Sequence, residues 1–177
     1  MADAPVVLVA YDREWPRQFE AERGLLNGVL APWLDGGIHH VGSTAVPGIA
    51  AKPIIDMVAG VHDLQDSRAA FGPLREQLYE YGLHRSSAHW FYKHPSRWDF
   101  QHTHHLHLTE PGSDLWRERL AFRDALRADP ALMAEYEALK LGLAEEQREG
   151  RSAYTTAAKR PFVARVLASI GIQLRPR

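Results

Sequence analysis

Apolar residues recur at helical spacing from Trp15 to Leu34, where Phe19, Leu25, Leu26, Val29 and Leu30 form one stripe. Pro16 suits a first helical turn, so the pattern predicts an amphipathic helix that Gly36-Gly37 ends. Before it, Val6 to Ala10 reads as a short strand or an extended lead-in. After it the period changes. Ile38 to Val41 is a short apolar run, and Ile54 to Val61 is β-branched and mostly apolar, as a buried strand should be. Between them, Gly42 to Pro53 is a loop with room for one helical turn, stiffened by Pro47 and Pro53. Asp63 can cap a helix from Leu64 to about Tyr81, with Ala70, Phe71, Leu74 and Leu78 on its apolar stripe. His89-Trp90-Phe91-Tyr92 reads as one strand of a hairpin and His102 to Thr109 as the next. Ser113 then caps a helix to about Ala128, Asp129-Pro130 starts another to about Glu149, and a last one runs from about Tyr154 to Ile170.

Mixed α and β elements followed by three helices predict an α+β fold with a short sheet and a helical C-terminal layer over about residues 113–170. A chain of 177 residues fits one domain, 1–177. At that length about 70% of the unfolded surface can be buried, so no covalent staple is needed. No internal repeat or low-complexity segment interrupts the chain.

Asp56 breaks the hydrophobic pattern. It stands in the run Ile54-Ile55-Asp56-Met57-Val58, and twelve residues separate it from Ser43. Burying an ionised carboxylate costs several kcal/mol or more unless it is paired, solvated or metal-bound. Gly42 at the preceding corner allows phosphate oxygens to approach backbone N–H groups, and the Ser43 hydroxyl adds a donor. A carboxylate on the neighbouring strand can hold a divalent ion that bridges those phosphates. The plainer alternative is a tight turn beside a surface-facing Asp. The loop is not a P-loop, because no Lys-Ser or Lys-Thr follows Gly48. Lys52 is close enough in sequence to serve as a point charge for phosphate, or else it is a solvated loop lysine.

Ten histidines are present, and five fall between His94 and His107. On a strand, His105 and His107 share one face, while His102 and His104 share the other with Leu106 and Leu108. His105 and His107 are therefore expected to project together, as ligands for a transition ion or as contacts to phosphate. A hydrogen-bonded histidine ladder is the alternative. Arg117, Arg119, Arg123 and Arg127 lie on the helix after Ser113, and Arg123 can reach inward to an anion. Lys140, Tyr154 and Lys159 follow on later helices.

The run His40-Val41-Gly42-Ser43-Thr44-Ala45-Val46-Pro47-Gly48-Ile49-Ala50-Ala51-Lys52-Pro53-Ile54-Ile55-Asp56 closely resembles the signature of the GrpB-like (UPF0157) family. Thr103-His104-His105-Leu106-His107, the Phe122-Arg123-Asp124 helix, Tyr136-x-x-Leu139-Lys140, and Tyr154 with Lys159 agree with it. The resemblance implies a nucleotidyltransferase-like core, and some family members are fused to dephospho-CoA kinase. It also implies that Gly42, Ser43 and Thr44 form the phosphate turn, with Lys52, Arg123, Lys140, Tyr154 and Lys159 toward the substrate. Asp56 would be the first metal-binding acid, and His105 and His107 would stand where a third acid is usual. The second acid falls at Val58, which ligates nothing. The expectation is thus a metal-dependent nucleotidyl- or phosphoryl-transfer enzyme using Mg, Mn or Zn at Asp56, His105 and His107. The alternatives are a silent module that binds a nucleotide or CoA precursor, and an accessory protein contacting a partner enzyme.

Composition narrows the setting. The net charge of −1 gives no global footprint for nucleic acid. The absence of cysteine excludes disulfides, thiolate zinc sites and a thiol nucleophile. The N-terminal residues carry no signal-peptide pattern and no apolar run is long enough to span a membrane, so a cytoplasmic protein is expected.

Overall fold

The computed structural model describes residues 6–82, 86–99, 101–148 and 156–174. In chain order these give α1 (Trp15–Leu30), β1 (Leu34–Val41), a 3₁₀ turn (Ser43–Ala45) and β2 (Ile55–Val61). A second 3₁₀ turn (Asp66–Ala70), α2 (Phe71–Glu76), β3 (Tyr79–Gly82), β4 (His89–Lys93) and β5 (His104–Thr109) follow. Then come α3 (Asp114–Ala128), α4 (Pro130–Arg148) and α5 (Thr156–Ser169). The sheet order is β1-β2-β5-β4-β3. Only β2 and β5 run parallel among these pairs, and they lie side by side in the middle. The fold is the α+β class expected, with a mixed sheet and three C-terminal helices.

Alternation along β2 divides its side chains between two layers. Ile55, Met57, Ala59 and Val61 join Leu106, Leu108 and Phe91 in the main core, closed by Trp15, Phe19, Leu26 and Leu30 of α1 and Leu74 of α2. On the opposite face, Val41 and Val58 meet Leu115 of α3. A third apolar cluster ties the loop residues Val46 and Ile49 to Leu126, Tyr136, Phe162 and Val166 of the three C-terminal helices. The loop after β1 is therefore sandwiched between the sheet and the helical layer, with Asp56 beneath it.

Three elements differ from their sequence reading. Helix α1 stops at Leu30, and Gly36 and Gly37, at φ +77° and +81°, instead bulge β1, which begins at Leu34. The helix expected from Leu64 to Tyr81 is only a 3₁₀ turn plus a short α2. Leu78 adopts φ +67°, which reverses the chain and releases Tyr79-Glu80-Tyr81 into a strand. Asp63 does cap the start, its Oδ1 accepting from the Gln65 and Asp66 N–H groups. Val6 to Ala10 contributes one bridge, Val9 to Ala51. Ser113 and Asp129 cap α3 and α4 as expected. No described helix is long and apolar enough to cross a membrane.

Candidate active site

Register places the central pair. Asp56 and His105 are direct partners across the parallel β2–β5 ladder, and Val41, the last residue of β1, pairs with Asp56 from the other side. The chain then turns at Gly42, with φ +72°. A Cβ there would fall on Asp56 Oδ2 and stand 2.9 Å from its Cβ, so the turn closes over the carboxylate only because residue 42 has no side chain. Asp56 keeps 30% of its side chain exposed. Its Oδ1 lies 3.0 Å from His105 Nδ1. Burial pushes its pKa up, but the His105 hydrogen bond and the charges of His105, Arg119 and His40 outweigh this, and the carboxyl sits below its usual range. An ionised carboxylate only accepts, so His105 Nδ1 carries the hydrogen.

Cations surround this carboxylate. Lys159 of α5 lies in electrostatic range of Lys52, Asp56 and Arg119. Burial first, and then the Lys52 charge, lower its pKa to about 8, so it stays charged at neutral pH and loses charge as pH rises through that value. Tyr136 of α4 is buried near Ser43, within range of Arg119 and Asp56. Lys159 is thus in electrostatic range of Asp56, Lys52 and Arg119, and Arg119 acts on Asp56 beneath the Gly42-Ser43 turn.

Other residues expected at the site hold the turn from behind. Thr44 is buried, and its hydroxyl donates to the Ile54 carbonyl while accepting from His40 Nε2. Arg123 Nη1 donates to the His40 carbonyl at 3.0 Å and its Nε to Asp124. Arg127 Nε donates to the Ala45 carbonyl at 2.8 Å. Lys140, 1% exposed, donates to the Ala50 carbonyl and lies over the Tyr136 ring, while Glu137 accepts from the Ala50 N–H. Arg123 and Lys140 therefore clamp main-chain carbonyls, which differs from the direct anion contact expected of them. Tyr154 lies outside the described residues.

The histidines also divide differently. His107 pairs with Val58 and Trp90, two residues along β5 from His105 and so about 7 Å further on. It is buried, and the structure does not bring it to Asp56. His102 precedes the strand, so alternation does not govern it. Its Nδ1 meets His105 Nε2 at 3.2 Å, and its ring stacks on Tyr92. His104 turns to the other face, toward Glu22.

The donor set does not fit a two-metal centre. Val58, at the second acid's position, is fully buried in the sheet. Among the described residues, no three His, Asp or Glu side chains group as a metal ion would require. Arg119 was missed as a site residue, although Arg119, Arg123 and Arg127 at i, i+4 and i+8 share a helix face that marks it.

Burial fixes the charge of His40 as well. It stacks on Phe19, and desolvation, with Arg127 and Arg123 nearby, lowers its pKa from 6.5 to about 4 against the pull of Asp56. The unfolded chain therefore binds a proton that the folded one refuses between those values. The stability held above pH 6.5 drains as pH falls, by about 2 kcal/mol at pH 5 for this residue alone. Denaturation midpoints should drop from pH 7 to 5, and His40→Gln should flatten part of that slope. An unchanged slope in the variant would contradict the assignment.

Residues 5–169 match the family described as GrpB protein. The glutamate-rich protein GrpB of Alkalihalophilus pseudofirmus is 36% identical over 165 residues, covering 92% of this chain and 94% of that protein. A dephospho-CoA kinase of Mycolicibacterium paratuberculosis is 30% identical, and the chain spans 92% of itself but only 45% of that protein. The crystal structure of GrpB from Enterococcus faecalis superposes with a TM-score of 0.79 at 29% identity, over 93% of this chain and 99% of that one. A cytoplasmic RNA terminal U-transferase shares a fainter likeness, with a TM-score of 0.45 and 12% identity over 75% of this chain and 44% of that one. With nearly the whole chain matched in both comparisons of sequence, the protein belongs to the GrpB family.

Proposed function

We propose that the protein is a phosphoryl- or nucleotidyl-transfer enzyme whose phosphate-bearing substrate sits at the Gly42-Ser43 turn. The observation that carries this is the closure of that turn over Asp56, with Arg119 and Lys159 in electrostatic range of the carboxylate and Lys52 in range of Lys159. The positive charge that Arg119 and Lys159 bring toward the turn favours a phosphate-bearing ligand. Ser43 and the turn position the phosphates, and the cations stabilise charge that develops on the leaving group. The acceptor hydroxyl gives its proton to Asp56. Its oxygen forms the new P–O bond as the bond to the leaving phosphate breaks. His105 holds Asp56 in place through its Nδ1–H. Side-chain cations carry the charge neutralisation that a pair of metal ions supplies elsewhere.

A second reading, binding without turnover, is favoured by Val58, since the position of the second acid is apolar. A thermal-shift panel separates the readings. Inorganic triphosphate, the four nucleoside triphosphates and CoA precursors would be tested with and without Mg²⁺, Mn²⁺ or Zn²⁺. A ligand at 100 times its Kd stabilises the native state by about 2.7 kcal/mol. The expected result is a clear rise in Tm with polyphosphate anions, reduced by Lys159→Ala and shrinking above pH 8 as Lys159 discharges. No rise with any anion would refute the site. A rise without phosphate release under any acceptor would establish the silent module.

A further inference from the structure

We propose that the aromatic row beside His105 seats an amino-bearing nucleobase, the far end of a nucleotide whose phosphates occupy the Gly42-Ser43 turn. This rests on the phosphate reading above and names the substrate class for it.

Strand register lays the row out. Asp56 pairs with His105, His105 with Tyr92, and Tyr92 with Glu80, so all four side chains leave one face of the sheet at successive strand spacings. Tyr92 therefore stands about 10 Å from Asp56 across two strand spacings. The rings between and beside them form a shelf. His102 stacks on Tyr92 at 4.4 Å and 18°, Trp90 leans on Tyr92 at 5.3 Å, and Trp90 meets His105 edge-on at 5.5 Å. Gly82 makes room for this. A Cβ there would overlap the Trp90 ring and press on Tyr92 Cε1 at 3.3 Å. The indole can thus lie across β3 as part of a broad aromatic surface, the kind on which bases stack regardless of identity.

The two ends of the row have opposite polarity. Arg119 and Lys159 stand in electrostatic range of Asp56 at one end. Glu80 stands at the other end with its side chain 55% exposed, where Tyr92 Oη donates to Oε2 and His94 Nε2 lies at 3.8 Å. A carboxylate only accepts, so it suits the exocyclic amine of an adenine- or cytosine-type base. A molecule with phosphates at one end and an aromatic amine at the other matches both ends and the shelf between.

Calorimetric titration of the full chain with ATP, CTP, UTP and inorganic triphosphate tests this. ATP and CTP should bind at least about tenfold tighter than inorganic triphosphate, as base stacking requires. Tyr92→Leu should abolish that margin while its triphosphate affinity stays at the wild-type value, which also reports that the variant is folded. Tyr92→Phe keeps the ring and should retain most of the margin. Glu80→Gln should erase the preference for ATP and CTP over UTP. Equal binding of all four ligands to the wild type would overturn the base seat and leave the phosphate site standing. Binding of none would overturn both.

Discussion

Asp56→Asn is expected to lower transfer by about 10²–10⁴-fold, the range spanned by loss of a positioned base. Release of orthophosphate or pyrophosphate reports the rate. Affinity for inorganic triphosphate should stay level or rise, because the substitution removes a negative charge within range of Arg119 and Lys159. That split is the useful part of the result. A residue that merely holds the fold would lose binding and turnover together. Here the amide still accepts from His105 Nδ1 and the turn can still close over it. Turnover that survives the substitution would remove Asp56 from the chemistry. A fall in triphosphate affinity would mean that the carboxylate organises the anion site instead of opposing it.

Gly42→Ala is expected to cost about 2–4 kcal/mol in urea denaturation. Gly42 sits at φ +72° and ψ −170°, a region essentially reserved for glycine, and holding another residue there costs about 1–3 kcal/mol. The new methyl group would also collide with Asp56, whose Cβ and Cγ would lie 2.9 and 3.0 Å away. Asp56 cannot retreat without leaving His105, so the turn and the dyad would be disturbed together, and triphosphate affinity should fall with stability. Gly24→Ala is the natural control. Gly24 sits in the middle of α1, and an added Cβ meets nothing within 4 Å. There the substitution should stabilise by roughly 0.5–1 kcal/mol. Equal effects at the two glycines would show that the close approach at Gly42 is immaterial.

Much of this site was legible because it obeys local rules. Asp56 announced itself by breaking an apolar run, and Gly42-Ser43 by ending one. The facing of His105 followed from strand alternation, with Leu106 and Leu108 marking the core side. What alternation could not supply was distance along the strand. His105 and His107 share a face, but only His105 is in register with Asp56. His102 lay beyond the strand and so escaped the rule entirely. The arginines show a related limit. Helical spacing says which side chains share a face, but whether Arg119 or Arg123 reaches the cleft depends on how α3 crosses the sheet. That crossing is set by Leu115 on the β1–β2 pair, a contact distant in sequence. The strand β3 was hidden because Leu78 continues an apolar helical stripe while its backbone does the opposite.

The turn is held largely from outside its own segment. His40 and Ala45 offer their carbonyls to arginines of α3, and Ala50 is gripped by Lys140 and Glu137 of α4. Such a loop cannot be transplanted by itself. Grafted onto another scaffold it would lose the latches that set its curvature, and a shortened version ending after β5 would keep a sheet without a usable corner. The corner and the helices that latch it therefore form one mechanical unit, and a change at Arg123, Arg127 or Lys140 should be felt at the turn.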